Sequence, residues 1–219
     1  MLKWVFLITA FASIATIHGV VLDRNQLITW HPNYFNYTSL PLNSRQITAI
    51  STDAFTGLSQ LLALWLDNNH ISSLDSSVFN GLSQLEDLYL QNNMLTTLDP
   101  TIFNGLSQLR GLSLSGNQFS SLDHSLFNGL HRLERLYLYN NQLSSLDSTI
   151  FNGLSQLKWL HMYSNRLSTL DPSIFKELSN LEWLYLYDNL LTSLDSKIFN
   201  GLSKLEDLRL YSNRITSLE

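Results

Sequence analysis

One block of sequence returns every 24 residues, and this periodicity constrains the fold more than any other feature of the chain. The motif FNGLSQL, or a near copy of it, starts at a phenylalanine in each case: Phe55, Phe79, Phe103, Phe127, Phe151, Phe175 and Phe199. A repeat of this length cannot bury its apolar face alone, so successive units must stack on one another. The period therefore predicts a solenoid.

Within each unit, leucines alternate with variable residues over a short stretch. Aligned from Leu61 and its equivalents, the later units read L-x-x-L-x-(L/M)-x-x-N-x-(L/I/F)-x-x-L, and a weaker first unit starts at Tyr37 with Arg45 at the asparagine position. Side chains of a strand point to alternate faces. In LYLYN we therefore expect a short strand that turns Leu136 and Leu138 inward and Tyr137 and Tyr139 outward.

This pattern resembles the leucine-rich repeat family, in the 24-residue form found in extracellular proteins such as relatives of Toll and Slit. The resemblance covers residues 37–219 and implies an α/β solenoid: a curved array of about eight repeats, the last one incomplete, with a parallel concave β-sheet and short helical or irregular convex turns. Extracellular members usually carry cysteine-rich caps, whereas this chain has no cysteine.

Three columns of the repeat have structural interpretations. The asparagines can bond backbone groups within and between units, because an amide both donates and accepts; they are Asn69, Asn93, Asn117, Asn141, Asn165, Asn189 and Asn213. The phenylalanines are expected to stack along the convex side. An aspartate recurs at one position of six units: Asp75, Asp99, Asp123, Asp147, Asp171 and Asp195. In two units a proline follows directly, Pro100 and Pro172, which is typical of a cap on a short helical turn. A ladder of calcium sites is the alternative interpretation of this column.

The chain divides into a signal peptide at residues 1–19, a flank or cap at 20–36, and the repeat domain at 37–219. A lysine precedes roughly 14 apolar residues, fewer than the ~20 that a membrane span needs, which favours a signal peptide over an anchor. A secreted, extracellular protein is predicted, with a glycosylation sequon at Asn36. The stop at Glu219, inside a repeat, indicates a truncated gene model, a fragment of a longer receptor, or an end that docks onto another chain.

Catalysis and nucleic-acid binding find little support. The formal net charge of −5 does not favour a nucleic-acid partner, and the absence of cysteine excludes thiol nucleophiles and thiolate metal sites. No nucleophile-elbow, zinc-protease or phosphate-loop motif is present. We therefore expect a protein that is not an enzyme and that uses neither cofactor nor metal.

The concave face carries the candidate binding residues, because its outward positions vary between units while FNGLSQ barely changes. They are Tyr137, Tyr139, Trp159, His161, Tyr163, Trp183, Tyr185, Tyr187, Arg209 and Tyr211. If each ring were half exposed, the patch would approach about 600–1,000 Å², enough for a protein interface. A protein partner is predicted, and a glycan stacked on the rings is an alternative. Aromatic residues that only stabilise the sheet, a scaffolding subunit, and a receptor ectodomain also stay open.

Overall fold

The computed structural model describes residues 19–218, so the predicted signal peptide lies almost entirely outside the described residues. The N-terminal part contains β1 (Val20–Leu22), α1 (Arg24–Trp30), a 3₁₀ turn (Tyr34–Asn36), β2 (Ser39–Pro41) and β3 (Ile47–Ile50). The later repeats contain β4 (Ala63–Trp65), β5 (Asp87–Tyr89), β6 (Gly111–Ser113), β7 (Arg135–Tyr137), β8 (Trp159–His161), β9 (Trp183–Tyr185), β10 (Ser193–Leu194), β11 (Asp207–Arg209) and β12 (Ser217–Leu218).

The main sheet is a parallel stack of eight strands in the order β2-β4-β5-β6-β7-β8-β9-β11. Each strand pairs with the next in a register of 24 residues, so that Leu112 lies opposite Leu136 and Leu136 opposite Leu160. Two further pairs, β1 with β3 and β10 with β12, are also parallel. The predicted solenoid with a parallel sheet is confirmed.

The strands are shorter than predicted. In LYLYN only Leu136 and Tyr137 belong to β7, yet the regular backbone bonding continues beyond the strand. The Leu138 N–H donates to the His161 carbonyl at 2.8 Å, and the Asn140 N–H donates to the Tyr163 carbonyl at 3.1 Å. The residue after each tyrosine position then turns the chain, with φ between 52° and 61° in every unit from Ser44 to Ser212. Asparagine, aspartate and glycine tolerate this left-handed conformation well, and they hold most of these positions.

The asparagine ladder forms as predicted. Asn93 illustrates it: its Oδ1 accepts from the Ile71 N–H at 3.0 Å, and its Nδ2 donates to the carbonyls of Leu66 and Leu90, both at 3.0 Å. One bond stays within the unit and two reach the preceding unit. Because the turn is buried, each amide satisfies backbone groups that water cannot reach.

The core is a continuous row of leucines on the inner side of the sheet and phenylalanines on the convex side. Phe151 stacks on Phe127 at 6.5 Å and on Phe175 at 6.3 Å between ring centroids. The convex segments of the repeats are successive turns rather than helices: the Val78 N–H donates to the Asp75 carbonyl at 3.1 Å, and the same i→i+3 pattern recurs in later units. Within residues 19–218, α1 is the one α-helix.

The aspartate column bonds locally. The Oδ1 of Asp147 accepts from the Thr149 N–H at 2.8 Å and from the Thr149 hydroxyl at 2.6 Å. These bonds are those of an N-cap, although they hold a turn and not the predicted helical segment. Among the described residues, no three histidine, aspartate or glutamate side chains are grouped as a metal ion would require.

The segment before the repeats packs on the first unit. Leu22, Leu27 and Tyr34 are fully buried in the common core, and Asp23 caps α1 by accepting from the Gln26 N–H at 2.7 Å. Phe35, which also lies in the predicted cap at residues 20–36, is 43% exposed.

Candidate functional site

The register of the sheet arranges the outward-facing side chains in three columns. The first column runs through Ala63, Asp87, Gly111, Arg135, Trp159, Trp183 and Asp207. The second runs through Trp65, Tyr89, Ser113, Tyr137, His161, Tyr185 and Arg209. Just after the strands, the third runs through Asp67, Gln91, Ser115, Tyr139, Tyr163, Tyr187 and Tyr211.

All ten predicted binding residues meet in the last four units, and we call them together the C-terminal aromatic surface. Its rings stack along the solenoid axis. Trp159 and Trp183 lie 4.8 Å apart at an interplanar angle of 4°. In the third column the ring centroids are separated by 4.5 Å (Tyr139 and Tyr163), 4.4 Å (Tyr163 and Tyr187) and 4.6 Å (Tyr187 and Tyr211).

Because the rings stack on one another, they are less exposed than the sequence analysis assumed. From Tyr137 to Tyr187 every aromatic residue of the surface is only partly exposed, whereas Tyr211 at the end of its stack is 57% exposed. The assumption of half-exposed rings was wrong, and the apolar area is smaller than predicted. Because the faces of Tyr163 and Tyr187 are covered on both sides, the surface presents ring edges and hydroxyl groups, and a sugar cannot stack on these two rings.

The phenols of Tyr163 and Tyr187 stay protonated over a wide pH range. Burial raises the pKa of Tyr163 well above its ordinary value, and the neighbouring phenols of Tyr139 and Tyr187 raise it further. Burial is also the largest cause that raises the pKa of Tyr187. Tyr163 and Tyr187 therefore offer neutral hydroxyl groups that can donate or accept hydrogen bonds.

His161 is held neutral within the surface. Its ring lies 4.2 Å from that of Tyr185 and 5.0 Å from that of Tyr137, and its buried Nε2 has no hydrogen-bond partner among the described residues. Burial, helped by the Arg209 guanidinium and opposed by Asp207, lowers the pKa of His161 to about 4. At neutral pH the imidazole is uncharged.

The one cation among the ten residues, Arg209, is paired. Arg209 Nη2 lies 2.8 Å from Asp207 Oδ2, and the guanidinium lies 4.3 Å from the centroid of the Tyr185 ring. The Tyr185 hydroxyl donates to the same carboxylate at 2.8 Å. Arg209 keeps 45% of its side chain exposed, so this end of the surface combines an aromatic ring with an accessible ion pair.

A polar belt in the middle of the concave face was not predicted. Arg135 reaches back across Gly111 to Asp87, with Nη2 2.7 Å from Oδ1. A Cβ at Gly111 would overlap that carboxylate oxygen, so the bridge requires glycine there. Beside it, Ser113 and Ser115 are almost fully buried and share a hydrogen bond of 3.1 Å. The signal in the sequence is the succession Asp, Gly, Arg within one column.

Comparison with known proteins gives the family. A model described as leucine rich repeat matches residues 36–95, 63–119, 112–167, 132–191 and 163–215, which together span 36–215. No curated protein matches the chain. Within the described residues, no helix has the length and apolar character that a bilayer crossing requires.

Solved structures of other leucine-rich repeat proteins have a similar fold. A structure of the Toll–Spatzle complex of Drosophila, in its glycosylated form, is similar at 26% identity and a TM-score of 0.81, over 93% of this chain and 26% of that chain. A TLR13–ssRNA13 complex is similar at 26% identity and a TM-score of 0.77, over 88% of this chain and 31% of that chain. A leucine-rich repeat protein of Leptospira interrogans is similar at 28% identity and a TM-score of 0.67, over 84% and 51%.

The chain thus spans about half or less of the length of these structures. The similarity shows the fold and the repeat family, and none of these comparisons indicates a catalytic family. The matched repeats cover most of the sequence, the parallel sheet has the register that they require, and the chain belongs to the leucine-rich repeat family.

Proposed function

We propose that this protein is a secreted, non-catalytic recognition module that binds a protein partner through the C-terminal aromatic surface. The observation that carries the proposal is the assembly of aromatic rings from four consecutive units into one continuous surface with an ion pair at its end. Tyrosine and tryptophan are the residues most enriched among those that dominate binding energy at protein interfaces.

The stacks also fix the side chains before a partner arrives. A ring held between two parallel neighbours about 4.4–4.6 Å away loses little further freedom on binding. Ordering flexible side chains is one of the main costs of association, so this arrangement favours affinity. The exposed edges and hydroxyls suit the mixed apolar and hydrogen-bonding contacts of a protein surface better than the flat face of a sugar ring.

A nucleic-acid partner is less compatible with the charges of this surface. Its own cation, Arg209, is paired with Asp207, and the nearby Lys158 is 3.0 Å from Glu134. Affinity for a phosphate backbone rests on several free cations. The structures of similar fold include a receptor with a protein, Spatzle, and a receptor with ssRNA, so the fold alone does not decide between these partner classes.

Secretion and glycosylation belong to the same proposal. Asn36 is exposed at the end of the 3₁₀ turn, so its side-chain amide is accessible for N-glycosylation. A scaffolding subunit or a receptor ectodomain would use the same aromatic surface, so these alternatives differ in the identity of the partner and not in the residues that contact it.

The experiment is affinity capture from the extracellular fluid of the source organism, with residues 20–219 as bait. One variant combines Trp159→Ser, Trp183→Ser and Tyr187→Ser. A matched control, Trp65→Ser with Tyr89→Ser, removes another stacked pair on the concave face, whose ring centroids are 5.9 Å apart. Capture that is lost with the first variant and kept with the second supports the proposal; equal capture by both would contradict it.

Thermal melting must accompany the capture, because stacked aromatic pairs contribute about 0.5–1.5 kcal/mol each. Both variants are expected to melt somewhat below the parent protein and to stay folded at the temperature of the assay.

A further inference from the structure

The opposite end of the concave face contains a cavity of about 990 Å³. The segment before the repeats forms one side of it with His31 and Asn36, and the sheet forms the other side with Trp65, Asp67, Tyr89 and Gln91. We propose that this N-terminal cavity binds a cationic group, the ammonium or guanidinium of a lysine-like or arginine-like ligand. This site is separate from the C-terminal aromatic surface, and the proposal does not depend on the function proposed there.

Asp67 places a nearly buried carboxylate in this cavity. Its side chain lines the cavity while the residue as a whole is only 8% exposed. Its Oδ2 accepts from the Asn68 Nδ2 at 2.6 Å, but among residues 19–218 no lysine or arginine nitrogen lies within 4 Å of the carboxylate. A buried carboxylate is costly unless it is paired. In the adjacent unit Asp87 has its cation, Arg135, at 2.7 Å.

Two more acceptors line the same cavity. Gln91 Oε1 and His31 Nε2 are buried and have no hydrogen-bond partner within the described part of the chain. A neutral imidazole has one donor and one acceptor nitrogen, and Nε2 is a ring nitrogen of His31 that lacks a partner. Burial and the nearby Arg45 guanidinium lower the pKa of His31, and the neutral ring leaves Nε2 as an acceptor.

The shape and the other charges fit a cation with an apolar stem. Trp65 and Tyr89 stack at 5.9 Å and form an aromatic wall beside the acceptors, against which a hydrocarbon stem can pack. Arg45, the cation near His31, is held with its guanidinium 5.0 Å from the centroid of the Trp30 ring. One carboxylate and two unpartnered acceptors in one cavity favour a ligand that carries several N–H donors and a positive charge.

The test uses N-acetyl-arginine amide as the probe and N-acetyl-citrulline amide as its neutral analogue of nearly the same shape. Isothermal titration calorimetry measures both on the full secreted chain, residues 20–219. We expect the arginine probe to bind at least tenfold more tightly than the citrulline probe. Asp67→Asn should abolish this preference, whereas Asp188→Asn, at an exposed aspartate of the other end, should leave it unchanged.

Folding is checked on the same variants. Since Asp67 lacks an internal cation, Asp67→Asn should keep or raise the melting temperature, so a lost preference cannot be attributed to unfolding. Equal binding of both probes, no binding of either at millimolar concentration, or an unaltered preference in Asp67→Asn would overturn the proposal. Binding of N-acetylglucosamine in place of the arginine probe would likewise overturn it and assign the cavity to sugars.

Discussion

The N-terminal cavity and the C-terminal aromatic surface are built from the same three columns on the same sheet, yet they leave different groups unsatisfied. Among residues 19–218, Asp67 has no cation in the cavity, and Gln91 Oε1 and His31 Nε2 have no hydrogen-bond partner. On the aromatic surface His161 Nε2 also has no partner among these residues, but the rings stack on one another and the charges of Arg209 and Asp207 are paired. The first region therefore selects a ligand by charge, while the second offers a rigid, nearly neutral surface.

The belt formed by Asp87, Gly111 and Arg135 separates the two regions. Because the repeat backbone is the same on both sides, the difference comes entirely from side chains at positions that the core does not constrain. One solenoid can thus carry two independent sites, provided that the common core stays intact.

The largest loss of stability is expected from a cavity in the core that both regions share. Phe151→Ala should lower the free energy of unfolding by about 3–5 kcal/mol, since the ring is buried between Phe127 and Phe175 and its loss leaves a cavity. Neighbouring units stabilise one another, so binding at both regions should weaken together at elevated temperature. Urea denaturation measures the loss; a value below about 1 kcal/mol would show that the convex stack is dispensable.

The next effect concerns the belt. Gly111→Ala should cost about 1–3 kcal/mol, because the added methyl group overlaps the Asp87 carboxylate and displaces the bridge to Arg135. The double variant Asp87→Ala with Gly111→Ala has no overlap and should cost less than the sum of the two single changes. Strict additivity in urea denaturation would mean that the two residues do not interact.

A smaller effect is a pH dependence located in the aromatic surface. Folded His161 has a pKa of about 4, whereas the unfolded residue has a pKa near 6.5. The unfolded chain thus takes up the proton first as the pH falls, so this contribution is complete above pH 6.5 and is lost between pH 6.5 and 4. We expect a loss of about 1–2 kcal/mol after allowance for solvent screening of the partly exposed ring.

The control for this pH dependence is His161→Phe, which should flatten the fall in stability over the same interval. A profile that stays unchanged in this variant would assign the pH dependence to other groups.

The smallest loss of stability is expected from a change on the convex side, which both regions share. Asp147→Ala should lower the melting temperature slightly, because the Thr149 N–H and hydroxyl lose their acceptor. The melting temperature of the parent protein should not change when calcium is added or chelated. A calcium-dependent shift that Asp147→Ala reduces would revive the alternative of a calcium ladder.

Much of the fold follows from the sequence because it rests on positions repeated in every unit. The inward leucines, the buried amides such as Asn93 and the register of the sheet all depend on one period, and the structure confirms them. The helical character of the convex turns is not determined by this pattern: an aspartate followed by a hydroxyl residue two positions later caps a turn as well as a helix.

The candidate residues of the aromatic surface could be located from the sequence, but their exposure could not. Strand spacing places Tyr139, Tyr163 and Tyr187 next to one another, and only the side-chain torsions decide that their faces are covered. The belt and the cavity were missed for a related reason. Arg135 bridges to the second unit before its own, and His31 and Gln91 line one cavity from positions 60 residues apart, so neither arrangement leaves a local pattern.

The central claim, that the aromatic surface contacts the partner, is tested most directly by adding a glycan beside it without changing any ring. Gln142→Thr creates an N-glycosylation sequon at the exposed Asn140, directly after Tyr139, and Met94→Thr creates the equivalent sequon at Asn92, two units earlier. With both sites glycosylated to the same extent, we expect Met94→Thr to capture as much of the partner as the parent chain does. The amount captured by Gln142→Thr should be at least tenfold lower. Equal retention by both glycosylated variants would contradict it.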